Sequence, residues 1–291
     1  MTEKLKKPLT FETTFTSYVV SEVLGEGGSG RVYGGTGADG ESVALKVLKE
    51  DGVTTDKRKR FRNEISFLQR NSHRNIVSVL DHGLIQGKYK SLPFYVMPRS
   101  NHTLRLAMDQ RIPTAIALPT FAKILDGVEA AHLQRVVHRD LKPENILCNT
   151  ELTDIRVADF GVARFTDELL LTLVETADAK RLANFQYAAP EQRVRGRSVE
   201  ASADIFALGL ILNEMFTGEI PQGTGYKTIG SVSADHAILD SIVATLISQE
   251  PRQRPSSIAD VKHLINVRSA EALTQQRLSE IDATVIPEGE I

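Results

Sequence analysis

One cysteine, Cys148, occurs in 291 residues, so no disulfide can form within the chain and a reducing compartment is its natural setting. No apolar run approaches the roughly 18 residues a membrane-spanning helix needs. The polar, basic start at residues 1–8 lacks the apolar stretch of a secretion signal, so a cytoplasmic protein is expected. Neither sign of charge is in excess: 35 Lys and Arg stand against 37 Asp and Glu, a formal net charge of −2. That balance gives nucleic acid or an anionic membrane surface nothing to attract in bulk. Internal repeats and low-complexity blocks are also missing. What remains is a chain with 41% apolar residues, long enough for one large domain or for two lobes sharing a cleft.

The patterning changes class along the chain. Residues 18–24 and 31–33 read as strands flanking a glycine cluster, Asp39-Gly40 marks a hairpin turn, and 42–48 reads as the next strand. A helix is expected over 56–70, where Phe61, Ile65 and Leu68 share a face, followed by strands at 76–81 and 94–97. Beyond residue 101 helices dominate: 118–133, a strongly apolar 201–216, 237–248 and 256–265, with short strand-like runs at 136–137 and 155–157. The expected fold class is α+β and bilobal, with a small antiparallel sheet carrying one helix and a larger, mainly helical lobe. The divisions fall at an N-terminal extension 1–17, a small lobe 18–97, hinge and large lobe 98–266, and a tail helix 267–291. In the tail Ala270, Leu273, Arg277, Leu278 and Ile281 recur at near-helical spacing, which suggests a helix packed on the large lobe with a frayed end from 287. A docking arm, or the start of a longer chain, is the other reading.

Three clusters carry chemistry. The first is Gly25-Glu26-Gly27-Gly28-Ser29-Gly30-Arg31-Val32, in which glycines let backbone N–H groups approach phosphate oxygens. Alone it reads equally as a glycine-rich hairpin. A dinucleotide fingerprint would need the glycines to open a helix, yet the chain continues as a strand. The second is Lys46, in Val43-Ala44-Leu45-Lys46, with Glu64 on the following helix; alone they are either an ordinary ion pair or a phosphate-holding lysine and its partner. The third is His138-Arg139-Asp140-Leu141-Lys142-Pro143-Glu144-Asn145, followed by Asp159-Phe160-Gly161 and Ala189-Pro190-Glu191.

In order and spacing this set resembles the protein kinase superfamily over residues 18–265, in the style of bacterial (eukaryotic-like, Hanks-type) serine/threonine kinases. The resemblance implies the bilobal kinase fold and transfer of the ATP γ-phosphoryl group to Ser or Thr hydroxyls of proteins, the chain itself among them. It implies Asp140 as the base for the acceptor hydroxyl, Lys142 beside the γ-phosphate, and Asn145 and Asp159 as ligands of Mg²⁺, or of Mn²⁺ in its place. Lys46 would hold the α/β-phosphates and Glu64 would hold Lys46. The nucleotide would lie among Leu24, Gly25, Glu26, Gly27, Gly28, Ser29, Gly30, Arg31, Val32, Ala44 and Leu147, with Met97 as gatekeeper and Pro98, Arg99 and Ser100 as hinge. Pro98 has a carbonyl but no N–H, so Ser100 supplies the donor. Leu68, Val79, His138 and Phe160 would form a spine, Asp204 would anchor the catalytic loop, and Arg254 would pair with Glu191.

Three features depart from the family pattern, the first being Pro98, where many members carry an acidic residue. Asn184 stands where a threonine usually bridges the catalytic aspartate and lysine. The usual phosphorylated position near Asp178 has no hydroxyl, although Glu175 and Asp178 offer carboxylates to Arg139, and Thr172 and Thr176 lie upstream. Lys57-Arg58-Lys59-Arg60 reads as a solvated face or as a cradle for acidic groups. A small-molecule phosphotransferase and a non-catalytic nucleotide-binding scaffold are the competing functions. Lys142 and the Ala-Pro-Glu motif favour a protein acceptor.

Overall fold

The computed structural model describes residues 3–27, 30–50, 53–87, 90–160, 186–194 and 196–284. Strands β1 (Glu3–Glu12), β2 (Ser17–Glu26), β3 (Arg31–Gly37), β4 (Ser42–Val47), β5 (Asp81–Gln86) and β6 (Ser91–Pro98) form one antiparallel sheet in the order β1-β2-β3-β4-β6-β5. Alternation puts Tyr18, Val20, Val43, Leu45, Val47, Phe94 and Val96 on one face, where Phe11 joins them in an upper core. The opposite face, with Ala44, Tyr95 and Met97, packs on Phe61, Ile65 and Leu68 of helix α1 (Thr55–Arg70). Thr54 caps that helix by accepting the Lys57 N–H, and Asp56 sits in its first turn.

Two parts of the sheet differ from the sequence reading. The segment read as an extension, 1–17, contributes β1. Its pairing from Leu9 to Glu12 against Val20 to Ser17 buries Phe11, whose ring meets Phe94 edge-on at 5.1 Å. Lys4, Lys6 and Lys7 disguise the strand in the sequence, and they lie exposed on a sheet edge, where charge discourages further pairing. The strand expected at 76–81 is displaced to Asp81–Gln86. Residues 75–77 bond instead to the large lobe: Val77 N–H donates to Val157 O at 3.0 Å and Val157 N–H to Asn75 O at 2.9 Å.

Past the hinge, β7 (His102–Thr103) leads into the short helix α2 (Leu104–Asp109), which the apolar pattern does not reveal because only Leu104 and Met108 are buried. β7 pairs with β8 (Ile146–Cys148), and β8 with β9 (Ile155–Val157). Helix α3 (Thr114–Leu133) packs against β9. Gly127 allows this approach, since a Cβ there would meet Val157 Cγ2 of β9 at 2.9 Å and would clash with Asn75 O. The run at 136–137 is no strand: Val136 N–H closes the end of α3 on Ala131 O. Helix α4 (Ala201–Thr217) is buried along nearly its whole length, as its apolar sequence demands, and α5 (Leu239–Leu246) lies against it.

Helix α6 runs unbroken from Ile258 to Thr284, so no boundary separates the large lobe from the expected tail. Past Ile265 that helix leaves the lobe: Val267, Arg268, Ala270, Glu271 and Leu273 are exposed, Leu273 by 57%. At these described side chains the expected packing on the large lobe is not found. Arg268 and Glu271 break its apolar stripe and satisfy each other in water at 3.1 Å. The side chains of Leu278 and Ile281, and residues 287–291, lie outside the described residues. Among the described residues no helix is long and apolar enough to cross a membrane.

Candidate active site

Lys46 lies on β4 between Val32 of β3 and Tyr95 of β6 and is 3% exposed. A lone ammonium at that depth would be costly, and two carboxylates meet it: Glu64 Oε1 of α1 at 2.8 Å and Asp159 Oδ1 at 2.6 Å. Tyr95 also donates to Glu64 Oε1, at 3.0 Å. Burial pulls the ammonium down, but the charges of Asp159 and Glu64 outweigh it and hold Lys46 well above its ordinary value. Burial and the nearby Asp159 push the Glu64 carboxyl up against the pull of Lys46, as expected when two acids share one cation, and Glu64 Oε2 has no hydrogen-bond partner.

The large-lobe half of the site is built on the β8–β9 hairpin. Ile146 pairs with Val157, and Ala158 N–H donates to Asn145 O at 2.8 Å, which sets Asn145 against Ala158, the residue before Asp159, at the hairpin's open end. Asn145 Nδ2 donates to Asp140 O at 2.7 Å and Asp140 Oδ2 at 3.2 Å, leaving its amide oxygen as the remaining side-chain group. Lys142 Nζ reaches both Asp140 oxygens, at 3.2 and 3.0 Å. The loop itself hangs on buried Asp204, whose carboxylate accepts the N–H groups of His138 and Arg139, each at 2.8 Å. Arg139 (φ 64°) and Asp159 (φ 61°) are held in the left-handed region, which this many anchoring bonds can enforce.

Phe160 is buried, its ring 4.8 Å from those of His138 and Phe67. Leu68 is buried in the same core, and Val79 packs on its margin. Leu24, Val32 and Leu147 pack partly buried against the core that holds Ala44 and Met97. β2 and β3 flank the glycine turn, which Gly27 N–H closes on Gly30 O at 2.9 Å. Glu26 there bonds Arg31 and Lys49, each at 2.5 Å, rather than pointing inward alone. At the hinge, the Ser100 hydroxyl is spent on His102 O and Cys148 O, so its backbone N–H is the donor that remains. Arg99 bonds Glu22 at 2.5 Å over Gly34, where a Cβ would meet Arg99 Nη1 at 2.9 Å. Gly28, Ser29, Gly161, Thr172, Glu175, Thr176, Asp178 and Asn184 lie outside the described residues.

Several members of the site escape sequence reasoning. Tyr95, Phe67 and His132, which bonds Asp204 Oδ2 at 2.8 Å, sit in apolar runs that read as plain core. Gln192, which donates to Arg139 O at 2.8 Å and accepts the Ala189 N–H, stands one residue past a recognised motif. Arg254 pairs with Glu191 as expected, at 2.7 and 3.0 Å.

The protein kinase domain model matches residues 18–282, and the chain belongs to that family. Among curated relatives, a probable serine/threonine-protein kinase PknB of Corynebacterium glutamicum is 28% identical, the match covering 93% of this chain and 45% of that protein. Serine/threonine-protein kinase PknJ of Mycobacterium tuberculosis is 31% identical over 88% of this chain and 46% of its own length. PkaB of Streptomyces coelicolor is 34% identical over 75% and 52%. The chain thus spans about half the length of these relatives. The crystal structure of the Mycobacterium tuberculosis PknI kinase domain superposes with a TM-score of 0.65 at 24% identity, covering 86% of this chain and 96% of that one, a likeness of fold.

Proposed function

We propose that the chain is an active protein serine/threonine kinase using ATP and Mg²⁺. The observation that carries this reading is the buried Lys46, bonded at once to Glu64 of the small lobe and Asp159 of the large one. A scaffold that only bound nucleotide would have no use for an intact Lys–Glu–Asp set beside an intact Asp140–Lys142–Asn145 set.

The donor chemistry fits a hard divalent cation. Asp159 offers a carboxylate and Asn145 an amide oxygen, two side-chain ligands of the kind Mg²⁺ accepts while taking the rest of its shell from phosphate and water. When bound, the ion neutralises charge on the phosphates. Asp140 orients the acceptor hydroxyl and takes its proton as the oxygen bonds to the γ-phosphorus and the bond to the ADP oxygen breaks. Lys142, held by Asp140, stabilises charge on the transferring group. Lys46 holds the α/β-phosphates, and Glu64 and Tyr95 hold Lys46. Leu24, Val32, Ala44 and Leu147 enclose the base, with Pro98 O and Ser100 N–H as its hinge partners. Acceptors are protein hydroxyls, the chain's own included, and the single buried thiol suits a cytoplasmic setting.

The test is transfer of labelled phosphate from ATP to a generic basic protein with Mg²⁺, alongside the Asp159→Asn variant. Transfer by the wild type and none by a folded variant is expected; equal transfer by both would overturn the metal assignment.

A further inference from the structure

Arg105 is the second residue of α2, five positions beyond the hinge residue Ser100. The preceding strand β7 pairs Thr103 with Leu147, so α2 is anchored to the floor of the nucleotide pocket. From there its guanidinium reaches three other elements. Nε donates to Glu144 Oε1 at 2.9 Å, in the catalytic loop just before Asn145. Nη1 donates to Glu214 Oε1 of α4 at 2.7 Å. Nη2 donates to the Tyr187 hydroxyl, which in turn donates to Glu214 Oε2. Tyr187 and Glu214 are 4% and 5% exposed, so this contact is desolvated on its inner side, while Glu144 remains about half exposed.

A planar guanidinium fixes the relative positions of what it bonds far more tightly than a point charge would. Here those partners belong to different functional parts. Glu144 belongs to the loop of Asp140 and Asn145. Tyr187 is two residues before Ala189-Pro190-Glu191, whose far side is already tied down by Gln192 on Arg139 O and by Arg254 on Glu191. Arg105 is the side chain that hydrogen-bonds both Tyr187 and the loop that carries the base.

We propose that Arg105 is a positioning residue that locks the Tyr187 segment to the catalytic loop, so that a protein acceptor is held in register with Asp140. The role rests on the proposed phosphoryl transfer, since register matters only if a hydroxyl is delivered there. Glu214 acts as the buried anchor: its two oxygens take Arg105 and Tyr187 together and set the angle between them. Arg105 touches neither nucleotide nor acceptor hydroxyl and works through Glu144 and Tyr187.

The test compares Arg105→Met, Arg105→Lys, Tyr187→Phe and the Arg105→Met/Tyr187→Phe double variant. In steady-state transfer to a protein acceptor, Arg105→Met is expected to lower kcat/KM for the acceptor about tenfold or more, with KM for ATP changed less than about twofold. Lysine should recover only part of the loss. The double variant should be no worse than Arg105→Met, because both changes break one lock. Amide hydrogen exchange is the second arm: Arg105→Met should speed exchange of residues 144–148 and 186–194 together while α3 stays protected. A loss shared equally by ATP and acceptor, or additive single effects, would overturn the proposal. So would unchanged exchange in either segment. If the wild type transfers no phosphate, the kinase reading fails, and the exchange arm alone still decides whether Arg105 couples the two segments.

Discussion

The two lobes each bury an ion pair, and the pairs are built to opposite ends. In the large lobe Arg254 meets Glu191 with two parallel bonds, and it donates further to Ser248 O, Ser202 O and Gln249 O. Its guanidinium also lies 4.8 Å from the centre of the Phe206 ring. One cation faces one anion, and geometry satisfies both. In the small lobe Lys46 faces two carboxylates that belong to different lobes, while Glu64 Oε2 has no partner. The first arrangement resists change. The second has an excess anion and a cation with two alternative holders, which suits a group that must also meet phosphate. A buried charge pair is therefore not one kind of object: completeness marks architecture, and a deliberate imbalance marks chemistry.

Breaking the small-lobe pair should separate activity from stability. Lys46→Met is expected to reduce kcat by about a thousandfold or more, roughly 4 kcal/mol of transition-state stabilisation. Adding Glu64→Gln should restore the melting temperature lost in the single variant, because the unpaired buried carboxylate is removed, but none of the activity. Recovery of turnover in the double variant would show that Lys46 is structural. Breaking the large-lobe pair should do the reverse. Arg254→Met leaves Glu191 buried and uncompensated, at a cost of about 3–5 kcal/mol, so Tm should fall by roughly 10 °C. Turnover per folded molecule should stay near wild type well below the new Tm; a loss of turnover there would mean the pair is more than architecture.

A buried group with no partner of opposite charge sharpens the contrast. Burial, with the Asp154 charge beside it, raises the Cys148 thiol from 9.0 to about 11. Because the folded value lies above the unfolded one, this contribution to stability is full below pH 9 and fades as pH climbs towards 11. In the native protein Cys148 should therefore react with iodoacetamide at least about 100-fold more slowly than a free thiol at pH 8. Rapid native alkylation would show that the hinge side of β8 opens readily. The smallest effect is expected at the exposed end of the scale. Arg99 and Glu22, each about one-fifth exposed, clasp the hinge to β2. Arg99→Ala should speed release of a fluorescent ADP analogue only about two- to fivefold, as suits a pair worth about 1 kcal/mol or less. No change would leave the clasp without influence on the cleft.

The sequence made legible those residues whose identity is unusual for their surroundings. A lysine inside an apolar strand, or an aspartate, lysine and asparagine at fixed intervals in one loop, announces itself, and the structure bonds Lys46, Glu64 and Asp159 in one set and Asp140, Lys142 and Asn145 in another. The expected helices over 56–70, 118–133 and 201–216 appear with modest changes at their ends, because long periodic patterns bury one way only. Illegible were partners chosen by distance in space. Tyr95 and Glu64 are 31 residues apart, and Arg105 and Glu214 are 109 apart. Nothing local marks a tyrosine in a strand or an arginine in a short helix as half of such a contact. β1 was hidden for a different reason: an edge strand carries charges where an inner strand carries valines.

The bonds between residues 75–77 and Val157 bear on how the cleft opens. Asn75 Nδ2 donates to Ile155 O at 2.8 Å as well, so this turn moves with the large lobe although the sequence places it in the small one. Through its backbone the small lobe is thus joined to the large one at two separate places, at this turn and at the chain crossing after Pro98, while the Lys46–Asp159 pair bridges the cleft between them. Two pins define a single axis, as they do for a door. Such joints favour a swing about that line over a twist or a slide. In such a swing β2 and β3, reached from the joints only across the sheet, would make a wider arc than the inner end of α1, which lies next to the turn.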